Sequence, residues 1–111
     1  MTYIMRKADK EHILRAICSD YPRRAKAIAA GKLSPSLLHC CVVMNQAVDE
    51  AIAEAYSLTR AYSPNFAEIM RQDIADCRGF AFSPLSAVMC EGSYKKYKRM
   101  IKAGIAARLG L

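Results

Sequence analysis

A long stretch without a helix-breaking residue is the strongest constraint on how this chain can fold. Ser34-Pro35 is a strong helix start, because serine can cap the first turn and proline at the first helical position loses no hydrogen bond. No further proline or glycine occurs before Pro64. We therefore predict a helix over residues 35–61, about 40 Å long at a rise of about 1.5 Å per residue. A helix of this length needs a packing partner.

The other prolines and glycines delimit shorter helices, and no alternating β-branched run indicates a strand. Periodicity predicts helices over residues 9–19, a second short helix to residue 30, and helices over 65–77, 84–89 and 93–109. The predicted fold is all-α: a small helical domain with a long central helix and a C-terminal helix-turn-helix. We divide it into an N-terminal helical region, residues 1–62, and a helix-turn-helix DNA-binding region, residues 63–111.

The central helix carries an apolar seam at alternating spacings of three and four residues, and Asn45 occupies the same seam. Its apolar members are Leu38, Cys41, Val48, Ile52 and Ala55. One interpretation is that the first two helices cover this seam within one chain. The other is a homodimer through the central helix, in which Asn45 fixes the register of the two helices. The sequence leaves both open.

Charge is segregated along the chain, whose net charge is +7. Residues 1–32 hold eight basic against three acidic residues, and residues 33–92 hold three against seven. Residues 93–111 hold six basic residues and no acidic one. Basic ends around an acidic middle indicate a polyanionic partner that approaches the ends of the chain.

The last segment combines this charge with the pattern of a helix-turn-helix. A short helix started by Ser83-Pro84, a turn containing Gly92 and a final helix capped by Ser93 are typical of that motif. Apolar residues recur along one side of the final helix and are predicted to pack inward, while lysines and arginines occupy the other side. The inward set comprises Tyr94, Tyr97, Ile101, Ile105 and Leu109.

A helix placed in the major groove of DNA reads bases with its N-terminal side chains and holds phosphates with further cations. The predicted base-reading residues are Ser93, Lys95, Lys96 and Arg99, with Arg99 the best candidate for two hydrogen bonds to guanine. Lys98 and Lys102 are the predicted phosphate contacts. A solvated basic face that only complements the helix dipole is the competing interpretation.

Several runs in this chain resemble a known family. The first is Asp20-Tyr21-Pro22-Arg23-Arg24, and the second is Asn45 with Val48-Asp49 and Ala51-Ile52. The third is the closing segment, in its two stretches Ser93 to Arg99 and Ala107 to Leu111. The chain resembles phage transcriptional activators of the RinA/ArpU type, whose helix-turn-helix is similar to the last domain of bacterial sigma factors. The resemblance implies binding of promoter DNA from Ser93 onward, control of phage late or packaging genes, and contact with RNA polymerase or a second subunit.

Other function classes have little support in the sequence. His12 and His39 are the only histidines, and no nucleophile stands beside a base in a catalytic pattern, so we expect no enzyme and no cofactor. A zinc site at His39, Cys40 and Cys41 lacks a second ligand pair, so no metal is expected. No apolar run is long enough to cross a membrane, and unpaired cysteines indicate a cytoplasmic protein. A helical adaptor or assembly subunit that binds protein without DNA is the alternative function.

Overall fold

The computed structural model describes residues 4–59 and 63–111, and these residues form helices and connecting turns without a strand. The predicted all-α class is confirmed. The boundary placed between residues 62 and 63 falls at the edge of the undescribed segment. The described residues contain five α-helices in succession: α1 (Lys7–Ser19), α2 (Tyr21–Ala30), α3 (Pro35–Ser57), α4 (Phe66–Ala75) and α5 (Glu91–Leu109). Two short 3₁₀ helices, Phe80–Phe82 and Pro84–Ala87, connect α4 to α5.

The start of α3 follows the predicted capping chemistry. The Ser34 hydroxyl accepts a hydrogen bond from the backbone N–H of Leu37 at 3.4 Å, and Pro35 occupies the first helical position. The helix ends at Ser57, four residues before its predicted end, where the Leu58 N–H bonds back to the Ala55 carbonyl and tightens the last turn. The predicted last residue, Ala61, lies outside the described residues.

The core lies where α3 meets α5 and where α1 meets α4. Its fully buried side chains come from all the α-helices except α2, which contributes partly buried ones such as Tyr21. Residues of both predicted regions, 1–62 and 63–111, contribute to the same core. The buried apolar residues that form it include Leu14, Ile17, Val48, Ile52, Phe66, Met70, Ile74, Leu85, Tyr94, Ile101 and Ile105.

Helices α3 and α5 pack closely in antiparallel orientation. The Tyr97 hydroxyl near the start of α5 donates to the Leu58 carbonyl at the end of α3, at 3.0 Å. Further along α5, a Cβ atom added at Gly104 would lie 3.0 Å from the Cβ of Ala51. Glycine therefore permits an approach of the two backbones that a side chain would force apart by a few tenths of an ångström. Arg108 then bridges the two helices through ion pairs with α3 carboxylates.

The buried side chain of Asn45 forms hydrogen bonds within the protein. Its side-chain oxygen accepts a hydrogen bond from Arg24 Nε at 2.7 Å, and its side-chain amide donates to the Tyr21 carbonyl at 3.3 Å. The Arg24 guanidinium also donates to the carbonyl of Ile17. Arg24 thus connects α1, α2 and α3. The intramolecular interpretation of the seam accounts for Asn45 and for the buried residues Val48, Ile52 and Ala55 that follow it on α3.

Three apolar residues, at the end of α4 and in the connection to α5, do not face the core. Cys77 is exposed, because α4 ends at Ala75 and the Arg78 N–H bonds to the Asp73 carbonyl, which leaves Cys77 at a positive φ of 53°. Phe82 and Val88 are also exposed, in the connection between α4 and α5. The helices predicted over residues 65–77 and 84–89 thus included residues that form turns.

The Arg24 contacts generate a stability prediction. Replacing Arg24 with Ala leaves the buried Asn45 oxygen and the Ile17 carbonyl without their donor, so the free energy of unfolding should fall by about 1–3 kcal/mol. The Arg23 side chain is 87% exposed and comes no closer than 4.0 Å to Asp20. Replacing Arg23 with Ala should therefore change the free energy of unfolding by less than about 0.5 kcal/mol. Urea unfolding of both variants measures the difference, and equal losses would contradict the assigned role of Arg24.

Candidate nucleic-acid interface

The final helix begins earlier than predicted. Cys90 is the capping residue and Glu91 the first residue of α5, so Gly92 and Ser93 lie within its first turn. The prediction that Ser93 caps the helix is wrong. The Tyr94 N–H bonds to the Cys90 carbonyl at 3.0 Å, and Glu91 places an acidic side chain where the helix dipole favours one. Instead of capping, the Ser93 hydroxyl lies 3.3 Å from the thiol of Cys90.

The segment before α5 is shorter than a helix-turn-helix requires. Ser83 caps as predicted, with its hydroxyl 3.2 Å from the Leu85 N–H, but only the 3₁₀ helix Pro84–Ala87 follows. A single four-residue turn does not supply a two-turn helix to support the next one. The predicted helix-turn-helix is therefore not confirmed, and α5 is instead held by α3 and by the connection from α4.

The predicted two-sided character of α5 is present. Tyr94, Ile101 and Ile105 are buried to within 1% of their surface. Tyr97 and Leu109 are partly buried beside them. Because the same side of the helix is anchored along its length, the side chains on the opposite side project from a rigid support.

A buried aspartate fixes the first half of α5. Asp73 on α4 has no exposed surface, and its carboxylate accepts hydrogen bonds from the Tyr94 hydroxyl at 2.7 Å and from Arg78 Nη1 at 3.3 Å. The Lys98 ammonium donates to the Arg78 carbonyl at 2.6 Å. A buried carboxylate is stable only when it is paired and hydrogen-bonded in this way. The network joins α4, the following turn and α5.

Sequence reasoning missed this network, because Asp73 stands in no charge pattern that indicates a buried site. A signal was available: Asp73 lies one turn after Met70 on the apolar side of α4, and Arg78 follows five residues later. Burial of the Tyr94 hydroxyl raises its pKa far above the ordinary value, and the hydrogen bond to Asp73 adds to the effect. Tyr94 therefore stays a neutral hydrogen-bond donor.

Four predicted DNA-contacting residues lie together. Lys95, Lys98, Arg99 and Lys102 line a shallow groove on α5 with a volume of about 320 Å³, which we call the basic groove. They share one side of the helix because they are separated by three or four residues. Lining residues that are all cationic create a positive potential at the surface, suited to a phosphate.

The four cations differ in how free they are. Lys102 pairs with Glu11 of α1 at 2.7 Å, and Lys95 pairs with Glu91 one turn earlier at 3.0 Å. Arg99 is exposed, and its guanidinium has no hydrogen-bond or ion-pair partner in residues 4–59 and 63–111. Arg99 is thus the cation whose donors are immediately available to a ligand.

The pKa of Lys98 reflects its burial and the positive charges around it. Partial burial lowers the pKa of its ammonium below the ordinary value, and the neighbouring charge of Lys102 lowers it further. An anion placed in the basic groove would relieve the repulsion between these two lysines and replace their lost hydration. The electrostatics of the groove therefore favour a bound anion.

Ser93 and Lys96 lie elsewhere. They line a separate depression of about 590 Å³, together with residues of the connection before α5, the end of α3 and Tyr97. The Lys96 ammonium lies 5.9 Å from the centre of the Tyr97 ring. The six predicted site residues are thus divided between two surfaces of α5, and the predicted base-reading set of Ser93, Lys95, Lys96 and Arg99 does not share one.

Other classes of site find no geometric support in the described part of the chain. No cluster of three His, Cys, Asp or Glu residues there is placed to hold a metal ion. Among the same residues, no helix combines the length and the apolar character needed to span a membrane. Comparison with known proteins returned no match to a family model, to a curated protein or to a solved structure.

The Asp73 network generates a second stability prediction. Replacing Tyr94 with Phe removes a donor from a fully buried carboxylate, so the free energy of unfolding should fall by about 1.5–3 kcal/mol. Tyr97 offers a matched control, because its hydroxyl bonds to a neutral carbonyl at an exposed position, and the same change there should cost about 0.5–1 kcal/mol. Denaturant unfolding compares the two variants. A larger loss for Tyr97→Phe would show that Asp73 does not depend on Tyr94.

Proposed function

We propose that this protein is a DNA-binding transcriptional regulator that binds double-stranded DNA through the basic groove of α5. The observation that carries the proposal is the groove itself, whose lining residues Lys95, Lys98, Arg99 and Lys102 are all cationic. Neutralising phosphates with lysine and arginine releases counterions and supplies much of the affinity for DNA. Arg99, which is exposed and unpaired in the described structure, is the proposed reader of guanine.

The mode of binding differs from the one first expected. Since α5 lacks a preceding two-turn helix, the proposed docking element is α5 alone, supported from behind by α3 and the Asp73 network. Its 19 residues are long enough for the exposed side to follow a groove of the duplex. Lys96, on the neighbouring surface, would reach a phosphate at the edge of the contact rather than a base.

The likeness to RinA/ArpU-type activators supports a more specific version of the proposal. In that version the protein is phage-encoded, acts on late or packaging gene promoters and contacts RNA polymerase. The part of the likeness that concerns DNA is the run from Ser93 to Arg99, which includes the three groove residues Lys95, Lys98 and Arg99.

A protein-binding adaptor is the second candidate function. It is favoured by exposed apolar residues in the first half of α3, notably Leu37 and Met44. Contiguous exposed apolar residues mark protein interaction sites. The two candidates differ in whether the protein binds duplex DNA at low salt.

Binding to random duplexes of about 30 base pairs tests the proposal, with fluorescence anisotropy as the measurement. We expect binding near 50 mM salt and a steep loss of affinity as salt is raised. The double substitution K95A/R99A should weaken binding at least about tenfold and reduce the slope of log K against log salt by nearly 2. Arg99→Ala alone should also relax any sequence preference recovered by selection from random duplexes.

The double substitution R23A/K26A is the matched control, because it removes the same charge from exposed positions on α2. It should retain most of the affinity. An equal loss in the control would mean that binding follows net charge rather than the basic groove. Absence of binding by the unaltered protein at low salt would overturn the proposal and favour the adaptor.

Substitution of Glu11 is predicted to strengthen DNA binding, in contrast to the substitutions above. Its carboxylate holds the Lys102 ammonium and competes with a phosphate for it. Replacing Glu11 with Gln should therefore strengthen DNA binding by up to about fivefold, the equivalent of one surface ion pair. Glu68→Gln changes the net charge equally at an exposed position on α4 and should have a smaller effect. Weaker binding by the Glu11 variant would place Lys102 outside the interface.

A further inference from the structure

The first half of α3 leaves uncovered the side that the second half buries. Val48, Ala51 and Ala55 are buried in the core, yet Leu37 and Met44, on the same side of the helix, are 52% and 36% exposed. Leu38 and Val43 flank them and are both 37% exposed. A continuous apolar side thus passes from the core to the surface along one helix.

The packing of α5 explains where the cover ends. Gly104 of α5 lies against Ala51 of α3, and the two helices are antiparallel. Because α5 ends at Leu109, five residues after Gly104, its last turn reaches about the level of Gln46. Helix α2 packs against α3 from another direction through Arg24 and Asn45. The described residues therefore leave this side of α3 open between Pro35 and Met44.

The charge pattern around this surface favours a second copy of the chain as its occupant. Residues 33–48 contain no Asp, Glu, Lys or Arg, although the chain as a whole carries +7. Two copies can therefore meet on this segment without opposing like charges. Exposed Lys32 precedes the uncharged segment and exposed Asp49 follows it, whereas Glu50 is already paired with Arg108.

This order of charges is self-complementary in one orientation. In an antiparallel pair the basic end of each segment approaches the acidic end of the other, whereas a parallel pair would place like charges together. Antiparallel helices related by a two-fold axis form the closed, isologous contact that is commonest among homodimers. With Leu37 of each copy opposite Met44 of the other, the axis passes near Cys40 and Cys41.

We propose that the first half of α3, residues 35–44, is the interface of an antiparallel homodimer. Asn45 takes no part in it, because Arg24 and Tyr21 hold its side chain inside each protomer. The apolar patch is small beside a standard interface of about 800 Å² per partner, so we expect dissociation in the micromolar range. The proposal does not depend on DNA binding.

Sedimentation of the full chain in reducing buffer, without DNA, tests the proposal. The protein should pass from a 12.3 kDa monomer to a dimer as its concentration rises from about 1 to 200 µM. Leu37→Lys introduces a charge into the apolar patch opposite Met44 of the other copy and should weaken dimerisation at least about tenfold. Phe82→Lys is the control, since Phe82 is 81% exposed and lies outside α3. A chain that stays monomeric throughout, or an equal effect in the control, would overturn the proposal.

Oxidation of the native thiols gives an independent measurement. Cys40, Cys77 and Cys90 are exposed, and of these three only Cys40 lies near the proposed axis. Mild oxidation of dilute protein with copper phenanthroline should give disulfide-linked dimers, which Cys40→Ser should abolish and Cys77→Ser should leave. Crosslinking that survives Cys40→Ser and disappears in Cys77→Ser would place the contact elsewhere and contradict the proposed interface. Circular dichroism confirms that each variant retains its helices.

Discussion

The close antiparallel contact between α3 and α5 determines which surfaces this protein can offer to a partner. Small residues make the contact possible: a Cβ at Gly104 would lie only 3.0 Å from that of Ala51. Backbones that approach so closely bury the side of α5 that bears Ile101 and Ile105. The cations of the basic groove, which lie on another side of α5, therefore face outward. The same contact ends where α5 ends, which leaves the first half of α3 bare. The basic groove and the apolar patch are thus two consequences of one packing arrangement.

The Asp73 network adds what apolar packing cannot supply, namely a fixed position for the start of α5. Apolar side chains can slide or rotate at low cost, but a buried carboxylate tolerates little displacement from its donors. Tyr94 and Lys98 belong to α5, and both are tied to the end of α4 through Asp73 and Arg78. The position of Arg99, one residue beyond Lys98, therefore depends on this network.

Local sequence chemistry predicted the helices well and the site only in part. Ser34-Pro35 predicted the start of α3, and the spacing of Tyr94, Ile101 and Ile105 predicted the buried side of α5, because capping and periodicity depend on neighbouring residues alone. The true start of α5 at Glu91 was missed, since Ser93 is a good cap in isolation, whereas Cys90 begins the helix through its backbone carbonyl alone. The pairing of Lys102 with Glu11 spans most of the chain, and no local pattern could reveal it. The separation of Ser93 and Lys96 from the basic groove, by contrast, follows from helical spacing, because Ser93 lies two residues from Lys95 and Lys96 two residues from Lys98.

The apolar patch lies on the first half of α3, and the basic groove lies on α5 at the level of the other end of α3. This separation limits how a dimer could bind DNA. The proposed axis is near Cys40, whereas Arg99 lies about level with Tyr56, so roughly 24 Å of helix separates them at about 1.5 Å per residue. In a dimer the two basic grooves would then be roughly 45–50 Å apart, more than the ~34 Å of one turn of DNA. Adjacent half-sites one turn apart would not fit both grooves. A dimer would instead gain avidity from more widely spaced sites, while each groove would keep the contacts that it makes alone.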